Sequence, residues 1–234
     1  MRYLIKFTKG EGLKFISHLD LLRTVQKIGR RAELPVEYSE GFNPHMAFVI
    51  ALPLSVGVYS DGDYADLYLH EDLECDYVLE KLNENSARDI KFLEASKSPV
   101  IMDVRRLPPA MALLDAATYI TKIRYEDTKD IDEDMRLLDE MLEYNTMKKT
   151  KRSEKLTDIK PFIKEFSYRI EDKTLVIDTL ICCGSRETLS PSLLADFVRK
   201  NTRNAVEDAF IDIKRTEMLG YKDEVLVPLY KYIE

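Results

Sequence analysis

The spacing of apolar residues changes within the first forty positions of the chain. Tyr3, Ile5 and Phe7 occupy alternate positions, which predicts a strand because successive strand side chains face opposite ways. Further apolar residues then recur every three or four positions, as on one face of a helix: Leu21, Val25, Ile28 and Ala32. Ser17 is a good N-cap for this helix, and Pro35 ends it.

The rest of the first half of the chain predicts four more elements and one turn. They are a buried strand over 46–54, a turn over 60–63, a half-buried strand over 65–69, a helix over 78–82 and a strand over 90–93. Together with the opening strand and helix, the order is β-α-β-β-α-β, as in ferredoxin-like folds.

The second half of the chain repeats this order about 110 residues later. The elements are a strand over 119–125, a helix over 131–142, a basic loop or hairpin over 148–155, paired strands over 166–170 and 175–181, a helix after Ser190-Pro191 and a strand over 210–213. We therefore predict an α+β fold of tandem ferredoxin-like units with mainly antiparallel sheets. The predicted domains are residues 1–98 and 118–234, with 99–117 as a connector.

Composition and charge limit the classes of function. The 234 residues are 45% apolar, enough for a globular core, and the net charge of -7 argues against non-specific nucleic-acid binding by the whole surface. The N-terminus has no apolar run long enough for a signal peptide, and no stretch approaches the ~20 apolar residues of a membrane span. We expect a soluble, cytoplasmic protein.

Three cysteines bear on the chemistry: Cys75, Cys182 and Cys183. Neighbouring residues of a strand face opposite ways, so Cys182 and Cys183 are not expected to form a mutual disulfide. Neither a zinc-binding spacing nor the closely spaced triplet that holds an iron–sulfur cluster is present. We expect no cofactor and no metal, and the chain is not itself a radical-SAM enzyme.

Basic residues concentrate in the first quarter of the chain, where residues 1–58 contain eight Lys or Arg and five Asp or Glu. They are candidate contacts for a nucleic-acid backbone: Lys6, Lys9, Lys14, Arg23, Lys27, Arg30 and Arg31. The densest later run adds four more candidates: Lys148, Lys149, Lys151 and Arg152. The alternative interpretation is a solvated helix face and a mobile hairpin tip.

Two histidines and one rigid turn are the other candidates. His18, with Asp20 close by, and His45 could act in acid–base catalysis or share a metal; alternatively, His18 hydrogen-bonds the helix start and His45 braces the turn. Glu40, Asn43 and His45 lie in a Gly- and Pro-containing turn that could bind a ligand or be a plain β-turn packed by Phe42. Acidic residues over 61–76 indicate a solvated face or a docking surface for a partner.

Several segments resemble a known family. They are Tyr3-Leu4-Ile5-Lys6-Phe7-Thr8-Lys9, Phe15-Ile16-Ser17-His18-Leu19-Asp20, the run from Tyr38 to His45, Leu52-Pro53-Leu54-Ser55-Val56-Gly57-Val58 and Asp158-Ile159-Lys160-Pro161. The series resembles the radical-SAM-linked domain of unknown function, which is fused to a radical-SAM protein or stands alone beside one. Ala47 departs from it, since the family usually has a basic residue there.

The resemblance implies a radical-SAM partner and a link to RNA metabolism. We therefore expect a non-catalytic accessory protein that binds tRNA or rRNA, or presents a substrate to its partner. Two alternatives stay open. One is an RNA-processing enzyme or transferase using His18 and His45, and the other is a protein-only interaction subunit.

Overall fold

A computed structural model describes residues 1–98, 108–149, 154–184 and 187–233. The chain divides into two compact units, the first made of Met1–Asp115 with Arg215–Glu234 and the second of Ala116–Lys214. Both contain helices and mainly antiparallel strands, so the predicted α+β class is confirmed. None of the helices in the described ranges has the length and apolar character needed to cross a lipid bilayer.

The described residues form eleven strands and six helices. The strands are β1 (Arg2–Lys9), β2 (Phe48–Ile50), β3 (Val58–Tyr68), β4 (Phe92–Lys97), β5 (Ala116–Arg124), β6 (Asn145–Lys149), β7 (Glu154–Asp158), β8 (Ile163–Glu171), β9 (Thr174–Cys182), β10 (Asp212–Lys222) and β11 (Val225–Pro228). The helices are α1 (His18–Arg31), α2 (Cys75–Glu84), α3 (Ala110–Leu113), α4 (Ile131–Glu140), α5 (Pro191–Lys200) and α6 (Leu229–Ile233).

The first unit is a sheet with strand order β4-β1-β3-β10, in which β2 also pairs with β3 and β11 pairs with β10. The pairings of β1 with β3 and with β4 are antiparallel. Alternate side chains of β1, which are Tyr3, Ile5 and Phe7, enter the same buried cluster as the apolar side of α1. This core holds α1 against the sheet and leaves the opposite side of the helix exposed.

In the second unit the strand order is β5-β9-β8. The β5–β9 pairing is antiparallel and runs without a register shift from Ala116 opposite Cys182 to Arg124 opposite Thr174. Strands β6 and β7 form a separate hairpin, whose tip over 150–153 lies outside the described residues.

Most local predictions agree with the structure. Strand β1 and helix α1 lie where the apolar spacing indicates, and α4, the β8–β9 pair and α5 follow within a few residues of their predictions. These elements have clear local periodicity and good start signals. Ser190 and Pro191 stand at the N-cap and first turn of α5, as expected.

Two predictions near the middle of the first unit are wrong. The predicted strand over 46–54 shrinks to β2, with Val49 exposed, and the predicted turn over 60–63 lies inside β3. A Cβ atom at Gly62 would lie 2.7 Å from the Thr216 carbonyl oxygen. Gly62 therefore lets the backbone of Thr216 approach closely within the sheet. In the sequence alone, the same glycine indicates a turn.

The C-terminal segment also differs from expectation. The last predicted strand, over 210–213, becomes the 11-residue β10. Residues from Arg215 onward group with the first unit, whereas the predicted second domain extends to residue 234. Residues 99–107 of the predicted connector lie outside the described ranges.

Candidate nucleic-acid interface

Helix α1 is amphipathic and well capped. Its buried residues, Leu21, Val25 and Ile28, face the core. At its start, the Ser17 hydroxyl oxygen accepts a hydrogen bond from the Asp20 backbone N–H at 3.2 Å, which satisfies one of the unpaired donors of the first turn. The helix is therefore fixed in place, and its outer side is a stable platform.

The outer side of α1 carries four exposed cations, which we call the basic face: Arg23, Lys27, Arg30 and Arg31. They lie within one arc of the helix, opposite the buried residues. Arg23 forms an ion pair with Asp20 at 3.2 Å, and both side chains are mostly exposed, so the pair is weak. For the other three cations, no carboxylate oxygen of the described residues lies within ion-pair distance.

Lys6 is not part of this face. Its ammonium lies 2.5 Å from a Glu217 carboxylate oxygen and 4.9 Å from the centre of the Tyr230 ring. Glu217 also accepts a hydrogen bond from the Tyr64 hydroxyl at 2.8 Å. Burial raises the pKa of that hydroxyl above its usual range, and the Glu217 charge raises it further. Lys6 thus belongs to an internal polar network of the first unit.

Lys9 is 1% exposed, so it too is unavailable to a nucleic acid. Its ammonium donates to the Val58 carbonyl oxygen at 2.9 Å and to that of Lys14 at 3.3 Å. Burial lowers the pKa of Lys9, and the charge of Asp63 opposes this shift. Lys14 itself pairs with Glu11 at 3.0 Å, so the three lysines that precede α1 are engaged within the protein.

The second basic segment lies in the other unit. Lys148, in β6, donates to the Thr188 carbonyl oxygen at 3.0 Å, and its ammonium lies 5.7 Å from the centre of the Phe162 ring. Lys149 ends β6. Lys151 and Arg152 lie outside the described residues, so their role stays a prediction.

The turn between α1 and β2 projects an aromatic side chain into solvent. We call residues 39–45 the Phe42 turn. Its ends are joined by the Ser39 N–H, which donates to the His45 carbonyl oxygen, and by the His45 N–H, which donates to the Ser39 hydroxyl. Phe42 is fully exposed, so the interpretation of a turn packed by Phe42 is wrong. Glu40, Asn43 and His45 are exposed beside it.

Close packing brings the Phe42 turn to the C-terminal half of α1. A Cβ atom at Gly29 would lie 3.2 Å from the Phe48 ring and 3.7 Å from the Met46 sulfur. The Gln26 side-chain amide lies 3.4 Å from the Met46 carbonyl oxygen. Because Met46 directly follows His45, the turn lies next to the part of α1 that carries Lys27, Arg30 and Arg31.

His18 and His45 are not brought together. His18 begins α1, while His45 lies beside Met46, which packs on Gly29. Eleven residues of helix separate His18 from Gly29, about 16 Å at roughly 1.5 Å per residue. Asp20 is used by the Ser17 cap and by Arg23. This placement adds no support to an acid–base role for His18, His45 and Asp20, which stays a prediction.

The most buried charged cluster was missed by sequence reasoning. Arg215 donates to one Asp63 carboxylate oxygen through Nε at 3.0 Å and Nη2 at 2.6 Å, and both side chains are 1% exposed. Nη2 also donates to the Leu52 carbonyl oxygen at 3.1 Å. This pair anchors the loop that precedes β3. No local signal could identify it, since the partners are 152 residues apart.

The acidic segment over 61–76 is divided by the fold. Asp63 and Asp66 are buried, and Asp66 accepts a hydrogen bond from the Ala110 N–H at 2.8 Å. Burial raises the pKa of Asp66, and the Ala110 hydrogen bond and Arg2 oppose this. The other carboxylates of the segment are exposed, and most of them lie over 71–76, so the solvated face or docking surface stays a prediction for that part.

A groove of about 620 Å³ lies in the second unit, between α4 and β8. Its lining mixes aromatic, apolar and charged residues, including Phe166, Tyr168 and Lys160. The Lys160 ammonium donates to the carbonyl oxygens of Asp139 and Met141, so it is used to hold the end of α4. In the part of the chain that is described, no group of three His, Cys, Asp or Glu is placed to hold a metal ion.

Comparison with known proteins identifies one family. Its model, described as "Uncharacterized protein conserved in bacteria (DUF2344)", matches residues 2–191. No curated protein matches the chain. Among solved structures, the chain is similar to one described as "Crystal Structure of a Cbf5-Nop10-Gar1 Complex", with 12% sequence identity and a TM-score of 0.49. That match covers 92% of this chain and 48% of the other, so the chain spans about half the length of that structure.

Proposed function

The chain belongs to this uncharacterised bacterial family, and from that premise we propose that it is a non-catalytic accessory protein that binds RNA. The observation that carries the proposal is the basic face of α1. Lys27, Arg30 and Arg31 are exposed on a protein of net charge -7, and no described carboxylate neutralises them. Exposed cations without an ion-pair partner release the counterions of a nucleic acid when they contact its phosphates. This release gives affinity for RNA without sequence preference.

Phe42 supports single-stranded rather than duplex RNA as the ligand. Unstacked bases of RNA loops and ends stack on exposed aromatic rings, which a base-paired helix does not allow. Phe42 is fully exposed in a short turn that leads into Met46, which packs on Gly29 of α1. This arrangement suits a base on Phe42 whose neighbouring phosphates contact the basic face. Loops of tRNA or rRNA are therefore the proposed targets.

The radical-SAM partner is part of the proposal and rests on the sequence resemblance alone. In this arrangement the chain holds the RNA, or another substrate, while a separate enzyme supplies the chemistry. Within the described residues, Cys75, Cys182 and Cys183 form no disulfide, which suits a reducing, cytoplasmic location.

We also propose the finer description of the fold as ferredoxin-like units in tandem. In the first unit it is supported by the strand order β4-β1-β3 with β2 on β3, and in the second by the order β5-β9-β8 with α4 between β5 and β8. Sheets of this kind also serve as RNA-binding surfaces.

Binding to RNA across a salt series tests the function. We would titrate fluorescein-labelled single-stranded RNA and total tRNA with the wild type and with Lys27→Gln/Arg30→Gln. If both cations contact phosphates, the slope of log affinity against log salt falls in magnitude by about 1.4, at roughly 0.7 per contact. The matched control is Arg88→Gln/Lys91→Gln, which removes the same two exposed residue types from another surface of the same unit.

A second pair of variants tests the aromatic contact. Phe42→Ala should weaken single-stranded binding with little change in the salt slope, because stacking releases no counterions. Tyr77→Ala, which removes another exposed aromatic residue from α2, should leave affinity unchanged. Salt-independent, negligible binding by the wild type would exclude the RNA-binding proposal and favour a protein-only interaction subunit.

A further inference from the structure

Strand β8 is an exposed edge of the sheet in the second unit. It pairs with β9 on one side, and no other strand of the described residues pairs with it. Ser167, Tyr168, Arg169 and Ile170 are all exposed. Unpaired backbone groups along such an edge form a template on which another strand can add.

We propose that a second copy of this chain adds to this edge, with the two β8 strands antiparallel around a two-fold axis at Ser167. This pairing does not depend on RNA binding, because the basic face lies in the other unit. A two-fold axis perpendicular to the sheet keeps each face of β8 on the same side in both copies. Two residues that lie opposite each other are then both odd-numbered or both even-numbered. This restriction limits the number of possible strand registers.

The register centred on Ser167 is self-complementary. Glu165 lies opposite Arg169 of the partner subunit, and Phe166 lies opposite Tyr168 of the partner subunit. Because the pairing is symmetric, each contact forms twice. Opposite charges and aromatic pairs directly across antiparallel strands stabilise a sheet. Both faces of the new pairing are thus matched, one by charge and the other by aromatic contact.

Neighbouring registers lack this match. Shifting the axis to Tyr168 places Glu165 opposite Glu171 of the partner subunit, and like charges destabilise a strand pair. Shifting it to Phe166 places Glu165 opposite Ser167 of the partner subunit and forms no ion pair. The sequence of β8 therefore selects one register among the three central ones.

The charged side chains of β8 are compatible with the proposed pairing. Arg169 already donates to Glu171 of its own strand at 2.8 Å and to Asp178 of β9, so its guanidinium is held in place at the β8–β9 pair. Glu165 has no ion-pair partner among the described residues. The guanidinium has five donors and can accept a further carboxylate. Two acidic and two basic residues make β8 neutral, so the strand itself adds no excess of like charge when two chains of net charge -7 meet there.

Disulfide trapping tests the register directly. In a Cys75→Ser background, where Cys182 and Cys183 remain buried, Ser167→Cys places two thiols across the axis within bridging range. The matched control, Ile170→Cys, keeps both Glu165 and Arg169 and leaves its two copies about 20 Å apart, six residues along at ~3.4 Å each. We expect mild oxidation to give a cross-linked dimer only for Ser167→Cys. Equal cross-linking of both variants, or of neither, overturns the proposal.

Charge exchange tests the same contact without cysteines. Sedimentation analysis of Glu165→Arg and of Arg169→Glu should each give a dissociation constant at least roughly tenfold above the wild type, since like charges then oppose each other twice. An equimolar mixture of the two variants should dimerise again, because positions 165 and 169 of one variant then lie opposite charges of the other sign on its partner. Circular dichroism confirms that each variant is folded. A monomeric wild type at high concentration, or a mixture no tighter than its components, overturns the proposal.

Discussion

The buried cluster around Asp63 predicts an unequal response to the loss of its members. Asp63 is paired with Arg215, and its charge also acts on the buried ammonium of Lys9. Asp63→Asn removes the carboxylate that acts on both buried cations. Arg215→Met leaves that carboxylate together with the cation of Lys9. We therefore expect Asp63→Asn to be the more destabilising substitution.

The size of the effect follows from the burial of the pair. Removing one partner of a fully buried ion pair lowers the free energy of unfolding by about 3–5 kcal/mol, and Asp63 and Arg215 are each 1% exposed. Asp63→Asn should lie at the upper end of this range, and Arg215→Met at the lower end. Adding Lys9→Met to Asp63→Asn should restore part of the stability, since it removes one of the two buried cations that have lost this carboxylate.

Urea unfolding at neutral pH, followed by circular dichroism, measures these differences. Arg23→Met is the matched control, because it removes the cation of an ion pair that is mostly exposed. Exposed pairs contribute about 0–1 kcal/mol, so this variant should stay close to the wild type. The role assigned to Asp63 is refuted if Arg215→Met destabilises more than Asp63→Asn, or if Lys9→Met makes the Asp63→Asn variant less stable still.

Two further predictions concern the same unit. Burial raises the pKa of the Tyr64 hydroxyl above 10.0, so the folded state holds this proton more tightly than the unfolded state; the stabilisation is complete below pH 10 and is lost as the pH rises. Tyr64→Phe should therefore lessen the fall of unfolding free energy above pH 10, measured in urea, and an unchanged slope would contradict the assigned environment. Gly62→Ala should lower the free energy of unfolding by about 1–3 kcal/mol through overpacking against Thr216. Gly41→Ala, where no described residue beyond its chain neighbours has an atom within 4 Å of the new Cβ, should act only through its positive φ, by about 1 kcal/mol. A smaller effect of Gly62→Ala than of Gly41→Ala would contradict the assigned overpacking.

Local sequence determined the elements whose signals are short in range. Helix α1 could be predicted with its N-cap because apolar spacing and the capping serine act within a few residues of each other. The same holds for β1 and for the β8–β9 pair, where alternation is clear. The basic face could be predicted too, since an amphipathic helix with a buried apolar side must expose the other one.

Only the tertiary structure decided which predicted cations are exposed and which predicted turns form. Lys6 and Lys9 were candidates equal to Lys27, yet they are held by Glu217 and by backbone carbonyl oxygens. The sequence indicated a turn around Gly62, but the approach of β10 makes it part of a strand. These outcomes depend on contacts between residues far apart in the chain, such as Asp63 with Arg215, which are 152 positions apart. Periodicity and spacing report only local preferences, whereas burial of a charge depends on a partner that the folded chain brings from elsewhere.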